Sequence, residues 1–380
     1  MKITPRILII CAVMLLVEST FALDKSENPQ TKSARPRMEV CFVLDTTGSM
    51  SGLIEGAKQK IWAIANEMVS AKPAPELCLG LIGYRDRGDE YVVKSFDLTN
   101  DIDAIYANLH GFSAGGGGDA PESVNEALNE AVTKLAWSSD RSVLKIIFLV
   151  GDAPPHMNYD QAPKYPEICQ AARKLDLIIN TVQCGAMGET APVWKEIAKL
   201  SEGSYAAIAQ EGGMAAITTP MDKELAELNR KMGATLVAYG GERERGFVLA
   251  KQAASEAAPA PAIADRLSFN AKSGKAVQGD GELLDSLAAG KMKISEVKKD
   301  QLSAEWQSLD APALKAAIEK KQRERVELQA RILKLNQDRD GYLTAERRKQ
   351  ASRKADSFDE QVATAIRVQA ARKGIAYGGQ

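Results

Sequence analysis

The feature that most constrains the fold is a regular alternation of short apolar segments and helical segments between residues 40 and 208. Segments 40–44, 76–84, 91–96, 145–150, 177–182 and 204–208 have the composition of β-strands. Apolar residues at helical spacing predict helices near 53–68, 121–136, 162–175, 191–200 and 223–232. This order predicts an α/β fold with a Rossmann-like, mostly parallel six-stranded sheet and helices on both faces. A short polar turn joins the second and third strands, which we expect to form an antiparallel hairpin.

Three loops carry the polar residues that stand out against these apolar strands. DTTGSMS (45–51) follows the first strand, GGDAPE (117–122) precedes a helix, and GDAPP (151–155) follows the fourth strand. In open α/β sheets, ligands bind at the carboxyl ends of the strands. We therefore expect the three loops to meet at one edge of the sheet and to form a single site.

The donors in these loops are oxygen atoms. Asp45, Thr47 and Ser49 alternate along the first loop, so a carboxylate and two hydroxyls can turn toward one point. Oxygen ligands favour Mg²⁺, Mn²⁺ or Ca²⁺ over zinc. The chain has two histidines, which are too few for a metal site built from several histidines. Asp45 and Ser49 could instead cap the following helix. Three acidic loops at one edge favour the metal site.

The DTTGSMS loop resembles the metal-ion-dependent adhesion site of von Willebrand factor type A (VWA) domains. The resemblance covers roughly residues 38–240. The middle loop, GDAPE (118–122), is similar to that of integrin β-subunit inserted domains, in which the glutamate after the proline is a metal ligand. The ligands that these resemblances imply are Asp45, Thr47, Ser49, Glu122 and Asp152.

The similarity to integrin β-subunits also implies a second, calcium-type site beside the first. In that family its aspartate ends the second strand, and Asp86 holds the matching position here. Asp119, the Pro121 carbonyl and Glu122 would complete this site. Our hypothesis is that the second cation shares Glu122 with the first, and that partner binding needs both ions.

Charge and coordination number indicate what such a centre does. Asp45, Glu122 and Asp152 carry three negative charges against two positive charges on Mg²⁺ or Mn²⁺. Mg²⁺ prefers six oxygen ligands, and the loops leave one position for water or a partner's carboxylate. No positioned nucleophile or base is evident nearby. We therefore expect a non-enzymatic protein that binds an Asp or Glu side chain of a protein partner through the metal.

An enzymatic interpretation is the main alternative. An apolar strand followed by Asp-Thr-Thr-Gly-Ser also resembles the aspartyl-phosphate loop of haloacid-dehalogenase-like phosphatases. In that case Asp45 would be the nucleophile and Asp152 a magnesium ligand. The GDAPP loop lacks the second acidic residue of that family, and the GGDAPE loop would have no role.

The first 22 residues have the features of a signal peptide. Lys2 and Arg6 precede an apolar run of eleven residues, 7–17, and Thr20-Phe21-Ala22 ends in small residues suited to cleavage. Eleven apolar residues are too few for a membrane span, which needs about twenty. We expect an exported, periplasmic or secreted protein cleaved near Ala22. The cysteines at 41, 78, 169 and 184 are expected to be free and buried, although a Cys41–Cys78 disulfide is possible.

The second half of the chain has a different character. Segment 241–263 is rich in alanine and proline and is predicted to be a linker. Segment 264–380 is predicted to be a mainly helical region, in which a long helix from 312 to 335 forms a hairpin with 358–371 rather than a long coiled coil. Segment 336–341 resembles the start of an EF-hand loop, but Arg347 occupies the place of its final glutamate. A charged turn between helices is predicted there.

The charge distribution bears on partners. The chain has 49 basic and 50 acidic residues, a balance that argues against nucleic-acid binding. Residues 311–380 nevertheless hold 16 basic and 9 acidic side chains. The simplest explanation is a solvated helix face. The alternative is a basic arm that contacts an anionic envelope surface or the acidic part of the same chain, and such a scaffold would bind without the metal.

Overall fold

A six-stranded sheet lies at the centre of the part of the chain that the structure describes. This structure is a computed structural model, and it describes residues 35–118, 120–161, 163–214, 216–350 and 357–377. The strands are β1 (Arg37–Asp45), β2 (Glu76–Tyr84), β3 (Val93–Thr99), β4 (Leu144–Gly151), β5 (Leu177–Cys184) and β6 (Tyr205–Ile208). Their order is β3-β2-β1-β4-β5-β6, and every pairing is parallel except the antiparallel β2–β3 pair. The predicted mostly parallel sheet and its hairpin are confirmed.

Helices cover both faces of the sheet. On one face α1 (Ser51–Met68) and α2 (Ile102–His110) pack on alternate β1 side chains such as Val40 and Phe42. On the other face α3 (Val124–Thr133), α4 (Tyr165–Lys174) and α5 (Thr190–Leu200) pack on Cys41 and Val43. Because β1 and β4 are buried on both faces, residues 40–44 and 146–150 are continuous apolar runs rather than alternating ones. The helix α2 was not predicted from the sequence.

The part of the chain that follows β6 is mainly helical, with loops between the helices. It contains α6 (Asp222–Gly233), α7 (Glu242–Ala257), α8 (Ala260–Ser273), α9 (Leu283–Ala288), α10 (Ala304–Gln307) and α11 (Ala311–Gln350). The linker predicted over 241–263 is therefore not found: α7, a two-residue break at Ala258-Pro259 and the start of α8 occupy it. Alanine is the strongest helix former, and a proline in the first turn of α8 is tolerated there.

Helix α11 is longer than predicted. It runs for 40 residues, and segment 336–341 lies inside it, so the turn predicted there is wrong. Arg339, within that segment, is buried and pairs with Asp222 and Asp265. These pairs give the segment a partner on α6 and α8, which explains why the chain continues as a helix.

The last described helix, α12 (Phe358–Ala371), returns to the sheet. Phe358, Val362 and Ile366 belong to the same apolar core as β1, β4 and α1, and the Phe42 and Phe358 rings meet edge to face at 6.1 Å. Helix α11 packs instead on α6 and α8. The predicted hairpin between the two helices is therefore wrong, and α12 completes the face of the sheet that α1 covers.

Two further observations concern cysteines and membranes. Cys41, Cys78, Cys169 and Cys184 are free and buried, as predicted. In the described ranges, no helix is both long and apolar enough to cross a bilayer. The predicted signal peptide, residues 1–22, lies outside the described residues.

Candidate metal centre

The three loops meet at one edge of the sheet, as expected. Because β1 and β4 are adjacent and in register up to Leu44 and Val150, Asp45 and Asp152 leave neighbouring strands side by side. A cleft of about 240 Å³ opens at this edge. Its lining includes Thr47, Ser49, Glu122, Asp152, Met187 and the glycines at 116–118.

The first loop folds around the Asp45 carboxylate. Asp45 Oδ1 accepts hydrogen bonds from the Thr47 backbone N–H at 2.8 Å and from Thr47 Oγ1 at 2.6 Å. The Ser49 hydroxyl lies 3.3 Å from Thr47 Oγ1. Neither Asp45 nor Ser49 caps α1, whose N-cap residue, Met50, makes no side-chain cap bond. The loop therefore presents oxygen atoms to the cleft rather than to the helix.

Two carboxylates of the three loops have a buried oxygen without a hydrogen-bond partner. These oxygens are Asp45 Oδ2 and Glu122 Oε2. Burial, with the charge of Asp152 as a smaller contribution, raises the pKa of Asp45 to about 7. Burial and the charges of Asp45 and its acidic neighbours raise the pKa of Glu122 to about 9. A bound cation would lower both pKa values because it supplies positive charge, and the two unpartnered oxygens could act as its ligands.

Asp152 has a protein partner that the sequence did not reveal. Its Oδ2 accepts a hydrogen bond of 2.8 Å from Gln210 Nε2, which also donates to the Ser49 carbonyl at 3.2 Å. The Asp152 carbonyl accepts a hydrogen bond from Thr190 Oγ1. Gln210 lies in a polar loop after β6, and nothing in that loop marks it as a site residue.

A glycine loop closes the cleft on a third side. Gly115 N–H donates to the Thr46 carbonyl at 3.1 Å, and Gly117 N–H donates to Asp89 Oδ2 at 3.1 Å. Gly116 has a φ of +73°, and a Cβ there would clash with the Asp89 carboxylate. Only glycine allows this approach, so the loop is fixed against the first loop and the turn after β2.

The residues predicted for a second site are only partly brought together. Asp86 Oδ1 accepts a hydrogen bond from Ser123 at 2.8 Å, and Asp86 Oδ2 accepts one from Tyr159 at 2.9 Å, with His156 Nε2 at 3.2 Å. Burial raises the pKa of Asp86, but hydrogen bonds, first that from Ser123, lower it below its usual value. Asp119 lies outside the described residues. Protein groups already contact both oxygens of Asp86, so neither oxygen requires a cation as a partner. The second metal site therefore stays a prediction.

The donor set suits a hard divalent cation. Within the described ranges, no three His, Cys, Asp or Glu side chains converge as a metal-binding cluster. A metal here would therefore depend on the hydroxyls of Thr47 and Ser49 together with the carboxylates. Oxygen donors of this kind, two of them unpartnered, fit Mg²⁺ or a similar ion rather than an ion that prefers thiolate or imidazole ligands.

Two known proteins each match about a third of this chain. An ariadne-like RING finger protein of Acanthamoeba polyphaga mimivirus is 26% identical over 119 residues, 31% of this chain and 11% of that protein. The von Willebrand factor A domain-containing protein 7 of Mus musculus is 33% identical over 120 residues, 32% of this chain and 12% of that protein. The chain thus spans little more than a tenth of these relatives.

Two solved structures that match this chain cover under half of it. Proximal thread matrix protein 1 of the mussel byssus, with a zinc-occupied MIDAS motif, matches 47% of this chain and 43% of its own, at 14% identity and a TM-score of 0.37. The SpRpn10 VWA domain matches 46% of this chain and 89% of its own, at 13% identity and a TM-score of 0.36. The family profile described as von Willebrand factor A domain matches residues 39–220. Residues 39–220 of this chain are therefore a von Willebrand factor A domain.

Proposed function

We propose that this protein binds a protein partner through a divalent cation, Mg²⁺ or Mn²⁺, held at the cleft. The residues that would hold the ion are Asp45, Thr47, Ser49, Glu122 and Asp152. The ion supplies an electrophilic position to which a carboxylate of the partner can bind. Ca²⁺ at the neighbouring site of Asp86, Asp119, Pro121 and Glu122 is a further part of the proposal.

One observation carries this proposal. Asp45 Oδ2 and Glu122 Oε2 are buried without a partner; Glu122 lines the open cleft, and Asp45 is hydrogen-bonded to Thr47, which also lines it. A buried acceptor without a partner costs about 1–3 kcal/mol, and more when it is charged. Two such acceptors beside the hydroxyls of Thr47 and Ser49 are better explained as cation ligands than as packing.

The burial of Asp45 argues against the phosphatase alternative. A nucleophilic carboxylate must reach a phosphorus atom, but Asp45 is fully buried and its Oδ1 accepts two hydrogen bonds from Thr47. The exposed residues at the cleft are instead Ser49 and the glycines at 116–118. This arrangement favours binding at the surface of the centre over covalent chemistry at Asp45.

Intramolecular ion pairs favour contact of the basic helix with the acidic part of the same chain over contact with an anionic envelope surface. Arg325 and Arg339 are buried and pair with acidic residues of segment 222–285, and Arg331 pairs with Glu224. Part of the excess positive charge is therefore neutralised by the acidic part of the same chain. Contact with an anionic envelope surface is kept as the second proposal, together with export after cleavage near Ala22.

Capture of a partner tests the proposed function. Residues 23–380 are immobilised and exposed to an envelope extract in Mg²⁺ and in chelator, with Asp152→Ala as a parallel sample. We expect a protein that is retained only by the wild type in Mg²⁺. Retention that is indifferent to both the chelator and the substitution would place binding on the helices beyond the VWA domain.

A further inference from the structure

The hydroxyl of Tyr84 is a buried donor without a partner. Tyr84 ends β2, is fully buried, and packs in the apolar core on the α3 side of the sheet. Its backbone carbonyl accepts hydrogen bonds from the Thr46 N–H and hydroxyl, but its own hydroxyl has no partner. Such a group costs about 1–3 kcal/mol, so its position requires a reason.

This hydroxyl lies beside the unpartnered oxygen of Asp45. A Cβ placed on Gly151 would clash with Tyr84 Oη and would lie 3.1 Å from Asp45 Oδ2. The two oxygens therefore border the same small volume, which is free only because residue 151 is a glycine. One of them is a phenolic donor and the other a carboxylate acceptor with two lone-pair sites, so Asp45 Oδ2 can accept the Tyr84 hydrogen bond and keep one site for the cation.

We infer that Tyr84 is a positioning residue of the metal centre, whose hydroxyl donates to Asp45 Oδ2, directly or through one water, when the cation is held. This inference rests on the proposed function. Thr47 fixes Asp45 Oδ1 through two hydrogen bonds, and Tyr84 would fix the second oxygen. With both oxygens fixed, the carboxylate has one orientation toward the cleft.

A group that orients a metal ligand contributes measurably to the affinity of the site for the metal ion. Loss of such a partner typically lowers metal affinity by about 10–100-fold. Without the Tyr84 hydroxyl, the Asp45 carboxylate would have to be ordered by the cation itself. The cost would then be a loss of affinity for the ion and not a loss of folding.

The chain offers a matched control for this test. Tyr106, on α2, is also buried with an unpartnered hydroxyl, but it packs against Trp62 and His110 on the opposite side of the sheet. Tyr106→Phe removes the same atom from a comparable environment away from the cleft. Any general effect of removing a buried, unpartnered hydroxyl will therefore be common to both variants.

The experiment measures binding of Mn²⁺ and of Mg²⁺ to the full chain by calorimetry, for wild type, Tyr84→Phe and Tyr106→Phe. We expect Tyr84→Phe to bind each ion at least about tenfold more weakly, and Tyr106→Phe to bind like the wild type. Near-ultraviolet difference spectra provide a second readout. Addition of the ion should perturb a tyrosine signal in the wild type and in Tyr106→Phe but not in Tyr84→Phe.

The outcomes separate this inference from the proposed function. If the wild type binds the ions and Tyr84→Phe binds them equally well, the role of Tyr84 is wrong and the metal centre stands. If the wild type binds neither ion, the proposed function and this inference both fail. Unfolding by urea without metal shows whether Tyr84→Phe is folded, which we expect because its ring is retained.

Discussion

Asn180 on β5 and Gln369 on α12 hold each other by two reciprocal side-chain hydrogen bonds, although 189 positions separate them. Asn180 Nδ2 donates to Gln369 Oε1 at 3.0 Å, and Gln369 Nε2 donates to Asn180 Oδ1 at 2.7 Å. Both side chains are buried. The pair places α12 in one register on the sheet, so the described end of the chain is part of the α/β core.

The first prediction concerns this amide pair. Asn180→Ala and Gln369→Ala should each lower the free energy of unfolding by about 1–3 kcal/mol, because the first leaves the buried Gln369 amide without its partner and the second leaves Asn180 Nδ2 without its acceptor. Asn180→Ala should cost more, since Asn180 Oδ1 also accepts hydrogen bonds from Ser204. The double variant should lose less than the sum, with a coupling of about 0.5–3 kcal/mol. Urea unfolding of the four proteins measures the coupling. Strict additivity would mean that α12 does not dock through these residues.

The second prediction concerns the anchor of α11. Arg325 is buried and contacts Glu282 at 2.8 Å and Asp285 at 2.9 Å. Arg325→Met should lower the free energy of unfolding by about 3–5 kcal/mol, because it leaves two buried carboxylates without their cation. Arg323→Met, at an exposed position two residues earlier on the same helix, is the control and should change little. Equal effects of the two substitutions in urea unfolding would rule out the anchor.

The strands were predictable because their signal is local. Residues 77–84 and 146–150 are buried on both faces, and continuous apolar runs of this kind are typical of strands in a covered, mostly parallel sheet. The docking of α12 was not predictable, because a glutamine in an amphipathic helix does not identify a distant asparagine as its partner. Similarly, the alanines of 241–263 are compatible with either a linker or a helix, and only packing on neighbouring elements decides between them.

The candidate site was also predictable only in part from the sequence. The three loops were singled out because loops after parallel strands meet at one edge, and the resemblance to VWA and integrin β-subunit domains then implied the candidate ligands Asp45, Thr47, Ser49, Glu122 and Asp152. Gln210 was missed because its contact with Asp152 depends on the tertiary path of the loop after β6. The sequence also gave no sign that protein donors would surround Asp86. Tyr84 did give a signal, since a hydroxyl at the end of an otherwise apolar strand requires a partner.

The third prediction concerns the space beside Gly151. Gly151→Ala should destabilise the protein by about 1–3 kcal/mol, because its Cβ would clash with Tyr84 Oη and lie 2.9 Å from Asp45 Cβ. In the background of Tyr84→Phe the loss should be smaller, since one of the two clashes is removed. Thermal unfolding of the two single variants and the double variant tests this. A loss that is as large with phenylalanine as with tyrosine would show that the hydroxyl does not border this space.

The fourth prediction is a pH dependence at the start of α12. Burial raises the pKa of Asp359, but the charge of Lys60 and the hydrogen bond from Ser357 outweigh it, so the pKa lies below its ordinary value of 3.8. A carboxyl group with a lowered pKa in the folded state stabilises the protein above its unfolded-state pKa, and this contribution is lost as the pH falls through the folded-state pKa.

The comparison of wild type with Asp359→Asn measures this contribution. The difference in free energy of unfolding between the two proteins should be largest near neutral pH and should shrink as the pH falls below about 4. Asp280→Asn is the control, because the Asp280 side chain is 89% exposed. A difference that does not change between neutral and acidic pH would contradict the role of the Lys60–Asp359 ion pair.

Binding of a divalent cation at the cleft is tested most directly by a substitution of Ser49. Ser49 is exposed, and in the described part of the chain the hydrogen-bond partner of its hydroxyl is Thr47 Oγ1 at 3.3 Å, so Ser49→Ala should fold like the wild type. Ser51→Ala, also exposed and two residues further on, is the matched control.

The decisive measurement is the thermal unfolding of wild type, Ser49→Ala and Ser51→Ala during titration with Mg²⁺ and after addition of chelator. An ion at about 100 times its dissociation constant stabilises the folded state by about 2.7 kcal/mol. We predict a rise in the melting temperature of wild type and Ser51→Ala that the chelator reverses, and a much smaller rise for Ser49→Ala. A melting temperature that rises equally in all three proteins, or in none, would contradict a metal centre at this cleft.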